Sequence, residues 1–88
     1  MEVTLDCAYM TDRATAHDYL KTLLGFPEYY GRNLDALYDL MTAYLHDITV
    51  NVKNPELLEE NLDGYGVALL ATMKEAVEDN PKIILKME

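Results

Sequence analysis

Tyrosines and carboxylates are concentrated in one short stretch, residues 27–41, with the sequence PEYYGRNLDALYDLM. It holds three tyrosines and three acidic residues, and Arg32 is its only basic residue. Asp35 and Asp39 are four residues apart, so on a helix they share one face and repel each other by about 0.2–0.5 kcal/mol. No basic residue lies four positions from Asp39 to offset that cost. Acids bordered by tyrosines in this way favour a binding surface for a cationic partner.

The apolar pattern predicts that this stretch forms a loop followed by a helix. Gly25 ends a preceding helix, and Asn33 is a favourable N-cap for the next one. The apolar stripe of that helix recurs at helical spacing: Leu34, Leu37, Met41 and Leu45. Other residues share the face of Asp39 or precede the helix: Tyr29, Tyr30, Tyr38 and Thr42. The acids and tyrosines are therefore expected on the side turned away from the stripe.

Strand and helix patterns alternate along the rest of the chain. Period-two alternation predicts strands at residues 2–7 and 48–53, and KIILKM, residues 82–87, is expected to form a final strand. Thr11-Asp12 offers a cap for a first helix, and Pro55 suits the first turn of a short one. A long helix is expected at residues 67–79, ended by Asn80-Pro81, with residues 63–66 as a loop before it. Its predicted buried stripe is Val67, Leu70, Met73 and Val77.

The predicted order of elements is β-α-α-β-α-α-β. Strands joined by helical crossovers pair in parallel, so we expect an α/β fold with a three-stranded parallel sheet packed with helices. A length of 88 residues favours a single domain over residues 1–88.

The amino-acid composition indicates which partners are disfavoured and where in the cell the protein is expected. The formal net charge is −9 and the pI about 4.4, which disfavours binding to nucleic acid or to anionic membranes. Cys7 is the only cysteine and is expected to be buried, so no internal disulfide can form. Neither a secretory signal nor a membrane-spanning run is visible, and the expected location is the cytoplasm.

The stretch FPEYYGRNLDALYDLMT resembles the signature segment of the barstar family, intracellular protein inhibitors of bacterial ribonucleases. The resemblance extends over nearly the whole chain. It implies that the loop and second helix occupy the phosphate positions of a small basic, barnase-like, guanyl-specific ribonuclease, in a one-to-one complex without a cofactor or metal. Glu75, in MKEA, matches a further acidic contact of the family. The expected partner-binding residues are Tyr29, Tyr30, Gly31, Asn33, Asp35, Tyr38, Asp39, Thr42, Ala43, Tyr44 and Glu75.

The chain departs from the barstar pattern within this segment. Tyr38 and Tyr44 stand where barstar has tryptophans, and Ala43 replaces a glycine. Arg32 replaces an acid, and Leu40 replaces a cysteine. The partner is therefore expected to differ from barstar's own ribonuclease.

Other functions remain open from the sequence. The acids could form only a solvated helix face, with one tyrosine in the core, or the chain could be an immunity module for another basic toxin or partner. An enzyme would need Asp35, Asp39 and Glu75 with His17 or His46 as base, but no catalytic motif is present and both histidines are expected at the surface. A Mg²⁺ or Ca²⁺ site would use the same carboxylates, and the loop spacing of a calcium hand is absent.

Overall fold

The three strands and four α-helices follow the predicted order β-α-α-β-α-α-β in a computed structural model that describes all residues, 1–88. The elements are β1 (Glu2–Asp6), α1 (Arg13–Leu24), α2 (Leu34–Ala43), β2 (Ile48–Lys53), α3 (Glu56–Leu62), α4 (Gly64–Asp79) and β3 (Ile83–Met87). A short 3₁₀ helix, Cys7–Tyr9, follows β1 where the alternation had predicted one more strand residue. The predicted α/β fold is confirmed.

The sheet is entirely parallel, with β2 between β1 and β3. Val50 of β2 pairs with Val3 of β1 and with Leu85 of β3, so these three apolar residues share one face. Burial alternates along β2 from Ile48 onward, which shows that helices cover that face. The opposite face carries exposed side chains, and the edge strand β3 contributes Ile84, which is 54% exposed.

The core is one cluster of 20 buried apolar side chains drawn from every helix and strand. Cys7 is part of it, as expected, and burial raises the pKa of its thiol to about 11. The predicted start and end signals of α1 are confirmed. The Asp12 carboxylate caps α1 by accepting from the Thr15 amide at 2.8 Å, and Gly25 ends α1 in the left-handed region, at φ 69°.

The start of α4 differs from its prediction. The helix begins at Gly64 and not at Val67, which is 51% exposed instead of buried. Gly66 is buried against α3, where an added Cβ would lie 2.0 Å from the Leu58 carbonyl oxygen. Because this close approach faces Gly66 toward α3, the buried stripe is shifted to Gly66, Leu69, Met73 and Ala76.

Asn80 joins the ends of α2 and α4. Its side chain is buried and donates from Nδ2 to the carbonyls of Met41 and Leu45, both at 2.9 Å. These carbonyls belong to the last turn of α2 and the residues after it, which have no partner within the helix. Its Oδ1 accepts from the Lys82 amide at 3.1 Å. One side chain thus fixes the C-terminal end of α2 relative to β3.

Candidate partner-binding site

The helix that carries the acidic residues is positioned by Asn33. The Asn33 Oδ1 accepts from the Ala36 amide at 2.7 Å, and its Nδ2 donates to the Gly31 carbonyl at 3.3 Å. This is the N-cap geometry that the sequence predicts. Asp35 lies in the first turn, where the helix dipole favours a negative charge. The polar atoms of Asn33 are therefore engaged in shaping the loop and starting α2.

The three predicted site carboxylates line one groove between α2 and α4. We call it the acidic groove and define it by Leu34, Asp35, Tyr38, Asp39, Thr72 and Glu75. Asp35 and Asp39 come from successive turns of α2, and Glu75 comes from α4. The packing of α2 on α4 thus brings together residues that are 36 positions apart in sequence, Asp39 and Glu75.

No basic side chain neutralises the acidic groove. Its lining includes no lysine, arginine or histidine, and none of its three carboxylates forms a salt bridge. Two basic residues of the segments that precede α2 are paired elsewhere. Arg32 lies 3.0 Å from the Asp18 carboxylate, and Lys21 lies 2.9 Å from that of Glu28. The groove is therefore a concentration of uncompensated negative charge on the surface.

A fourth carboxylate, Asp79, adjoins the acidic groove and was not among the predicted residues. It lies one turn beyond Glu75 on α4 and accepts a hydrogen bond from the Tyr38 hydroxyl. This hydrogen bond, together with the nearby acids, raises the pKa of Tyr38 to about 12. The i,i+4 spacing of Glu75 and Asp79 is the signal in the sequence that could have identified it. Tyr38 is half-buried, and its ring orientation is fixed by Asp79.

A second depression lies beside the acidic groove and shares Asp39 with it. It is lined by Tyr29, Tyr30, Gly31, Ala36, Asp39 and Leu40. Tyr29 is 76% exposed, and Gly31 lies so close to Ala36 that an added Cβ would be 3.1 Å from its methyl group. Asp39 therefore stands between two concave surfaces, one acidic and one bordered by tyrosine.

Tyr30 differs from its prediction as a surface contact, because it is only 5% exposed. Its ring packs on Phe26, with ring centres 4.9 Å apart, and its hydroxyl lies 2.5 Å from Nδ1 of His17. It is the tyrosine in the core that the alternative interpretation of the stretch allowed. Burial raises the pKa of its hydroxyl above the ordinary value, and Tyr65 adds to that shift.

The expectation that His17 lies at the surface is wrong. His17 is 1% exposed, and its two ring nitrogens contact the hydroxyls of Tyr30 and Tyr65. Burial lowers the pKa of His17, and the charge of Arg32 lowers it further. His46 is exposed, as expected, next to Asp47. Neither histidine lines the acidic groove.

The remaining predicted residues lie near the C-terminal end of α2. The Thr42 hydroxyl donates to the Tyr38 carbonyl at 2.9 Å, so its proton is engaged within the helix. Ala43 and Tyr44 are exposed, and the Tyr44 ring stands edge-on to Phe26, with centres 6.5 Å apart. Tyr44 thus continues the aromatic border from the loop to the end of α2.

Two structural findings bear on the other classes of function. No three His, Cys, Asp or Glu side chains are arranged so that they could hold a metal ion. No helix combines the length and apolar composition that crossing a membrane requires.

Comparison with known proteins relates the chain to a family model and to a curated relative. The family model described as "Barstar (barnase inhibitor)" matches residues 1–87. A Bacillus subtilis (strain 168) protein named "Putative ribonuclease inhibitor YrdF" is 43% identical over 74 residues. That alignment covers 80% of this chain and 81% of the relative.

Proposed function

The chain belongs to the barstar family, a family of inhibitors and not of enzymes, and from this premise we propose that it inhibits a ribonuclease by covering the enzyme's active site with the acidic groove. The observation that carries the proposal is the set of unpaired carboxylates of Asp35, Asp39 and Glu75 in one groove without a basic residue. We place its action in the cytoplasm of the producing cell, which it protects from its own ribonuclease.

The proposed mechanism of inhibition follows from what the active site of a ribonuclease must bind. Its active site holds phosphate and stabilises developing negative charge, and for this it carries Arg, Lys and His side chains. Carboxylates presented to that active site pair with those cations and exclude RNA. The repulsion between Asp35 and Asp39 in the free protein is relieved when the cations of the enzyme lie between them.

Aromatic side chains supply the apolar part of the proposed contact. Tyr29 and Tyr44 are exposed, Tyr29 lines the second depression together with Asp39, and Tyr38 lies within the acidic groove. Tyrosine offers a large and rigid contact area for little loss of conformational entropy. Because Tyr38 and Tyr44 bury less area than the tryptophans that barstar has in their place, we propose a ribonuclease partner other than barnase.

An inhibition titration tests the proposal. Pure protein is expected to abolish the activity of a small, basic, guanyl-specific ribonuclease at a one-to-one molar ratio. Asp35→Ala should weaken that inhibition, whereas Glu60→Ala, an exposed acid on α3, should leave it unchanged. In a gel-shift assay the protein alone should not retain RNA, because its net charge is −9. RNA retention without a partner protein would contradict the proposed mechanism.

A further inference from the structure

His17 connects three parts of the chain through hydrogen bonds. From α1, its Nδ1 contacts the Tyr30 hydroxyl of the loop at 2.5 Å, and its Nε2 contacts the Tyr65 hydroxyl of α4 at 2.6 Å. We call this chain of contacts the Tyr30–His17–Tyr65 link. The loop it holds, residues 26–33, carries Tyr29 and leads into the capping residue of α2.

The buried Tyr30 hydroxyl can donate its proton within the link only when the imidazole is neutral. A neutral imidazole has one N–H donor and one acceptor nitrogen, so one tyrosine hydroxyl donates to the ring and the other accepts from it. A protonated imidazole has two donors, and both hydroxyls must then accept. Tyr65 is half-buried and can turn its proton toward solvent, whereas the buried Tyr30 hydroxyl has His17 as its one hydrogen-bond partner.

The charged groups around His17 also oppose a second proton on the ring. Arg32, in the loop, lowers the affinity of His17 for a proton, and Asp18 on α1 raises it to a smaller extent. From α1, the Arg13 guanidinium stacks over the Tyr65 ring, 4.1 Å from its centre. The groups that contact the two imidazole nitrogens are tyrosine hydroxyls and not carboxylates. A charged His17 is therefore poorly accommodated while the loop is in place.

We propose that His17 and Tyr65 are positioning residues, which hold loop 26–33 in its partner-binding conformation through Tyr30, and that protonation of His17 releases the loop. This inference rests on the proposed inhibitor function for its effect on binding. The part of the proposal that concerns the loop does not depend on that function and can be tested on the free protein alone. Neither residue lines the acidic groove, so both act through the loop and not by contact with the partner.

The first test uses the free wild-type protein. Side-chain and backbone NMR shifts are followed from pH 8 to pH 5. The amides of residues 29–33 are expected to shift with the same midpoint as the His17 imidazole. Loop amides that stay unchanged while His17 takes up its proton would overturn the proposal, and this result would be independent of any ribonuclease.

The second test compares two variants that each lose one hydroxyl. Tyr65→Phe removes the partner of His17 Nε2 and keeps the ring under Arg13, whereas Tyr9→Phe removes an exposed hydroxyl with no hydrogen bond. Tyr65→Phe is expected to weaken ribonuclease binding by about 2- to 30-fold, the range typical of residues that act through another.

In the wild-type complex the midpoint of His17 protonation should lie at lower pH than in the free protein. Equal affinity of the two variants with an unchanged midpoint would refute the positioning role, whereas failure of the wild-type protein to bind any ribonuclease would refute the inhibitor function instead.

Discussion

At the residue scale, Asp39 is expected to affect stability and binding with opposite sign. Asp39→Ala removes the repulsion with Asp35, so the free energy of unfolding should be unchanged or rise by about 0.2–0.5 kcal/mol. In the complex the same change leaves a cation of the enzyme buried and unpaired, at a cost of at least about 2–5 kcal/mol, a range to which the barnase–barstar complex itself contributes. Thermal melts and inhibition constants measure the two effects.

Glu60→Ala is the matched control for Asp39→Ala, because it removes an exposed acid outside the acidic groove. It changes the net charge by the same amount and so accounts for long-range electrostatics. If both variants inhibit equally well, Asp39 has no special role in the contact.

His17 makes the stability of the free protein depend on pH above the range in which carboxylates titrate. Its pKa is lowered in the folded state, so its contribution is fully present above the unfolded value of about 6.5 and is lost as pH falls below it. Asp6, Asp12 and Glu28 also have lowered pKa values, but their contributions are lost only at more acidic pH. Urea unfolding at pH 7.5 and 5.5 should show a decrease. A His17→Gln variant whose stability falls equally over that interval would assign the decrease to other groups.

The residue scale is also where prediction from sequence was least complete. The shared face of Asp35 and Asp39 follows from i,i+4 spacing, and Glu75 was identified only through the family resemblance. The burial of Tyr30 and His17 could not be predicted, because the hydrogen bonds that satisfy His17 come from residues 13 and 48 positions away. A polar side chain can be buried when its partners are present, and periodicity carries no information about such distant partners.

At the element scale, the contact between α3 and α4 depends on the missing side chain of Gly66. Gly66→Ala would place a Cβ 2.0 Å from the Leu58 carbonyl oxygen, which is backbone and cannot turn aside. The helices must then separate, at an expected cost of about 1–3 kcal/mol or more. Chemical denaturation measures the loss.

Gly64→Ala provides the comparison within the same helix. An added Cβ at Gly64 meets no atom within 4 Å, and its φ lies outside the left-handed region. This variant should gain about 0.4–1 kcal/mol, because alanine reduces the entropy of the unfolded chain. A similar loss in both variants would mean that helix initiation, and not the α3–α4 contact, sets the cost.

Elements were predicted well where the signal is local. The caps Asp12 and Asn33 and the terminator Gly25 act on the adjacent turn, so each can be recognised in isolation. The first turn of α4 was predicted as loop because residues 63–66 contain two glycines, which are typical of turns. Packing against α3 overrides that local preference, and the same contact shifts the buried stripe of α4.

At the scale of the whole molecule, the net charge of −9 should govern the rate at which a basic partner is found. Long-range attraction raises association rates and is screened over a Debye length of roughly 8 Å at physiological ionic strength. Added salt should therefore slow association with a ribonuclease clearly and change dissociation much less. Stopped-flow measurements from about 20 to about 500 mM NaCl, the range over which screening becomes strong, test this. A constant association rate would contradict electrostatic steering.

The position of β3 at the edge of the sheet has a consequence for self-association. An edge strand presents unpaired backbone groups, and the exposed Ile84 makes this one attractive to a second strand. Lys82 and Lys86 flank the apolar run of β3, where a charge opposes the pairing of one edge with another. The protein is otherwise strongly acidic, and two of its seven basic residues thus lie where their charge opposes aggregation through the edge strand. Neutralising Lys82 and Lys86 would therefore favour self-association through β3 without changing the residues of the acidic groove.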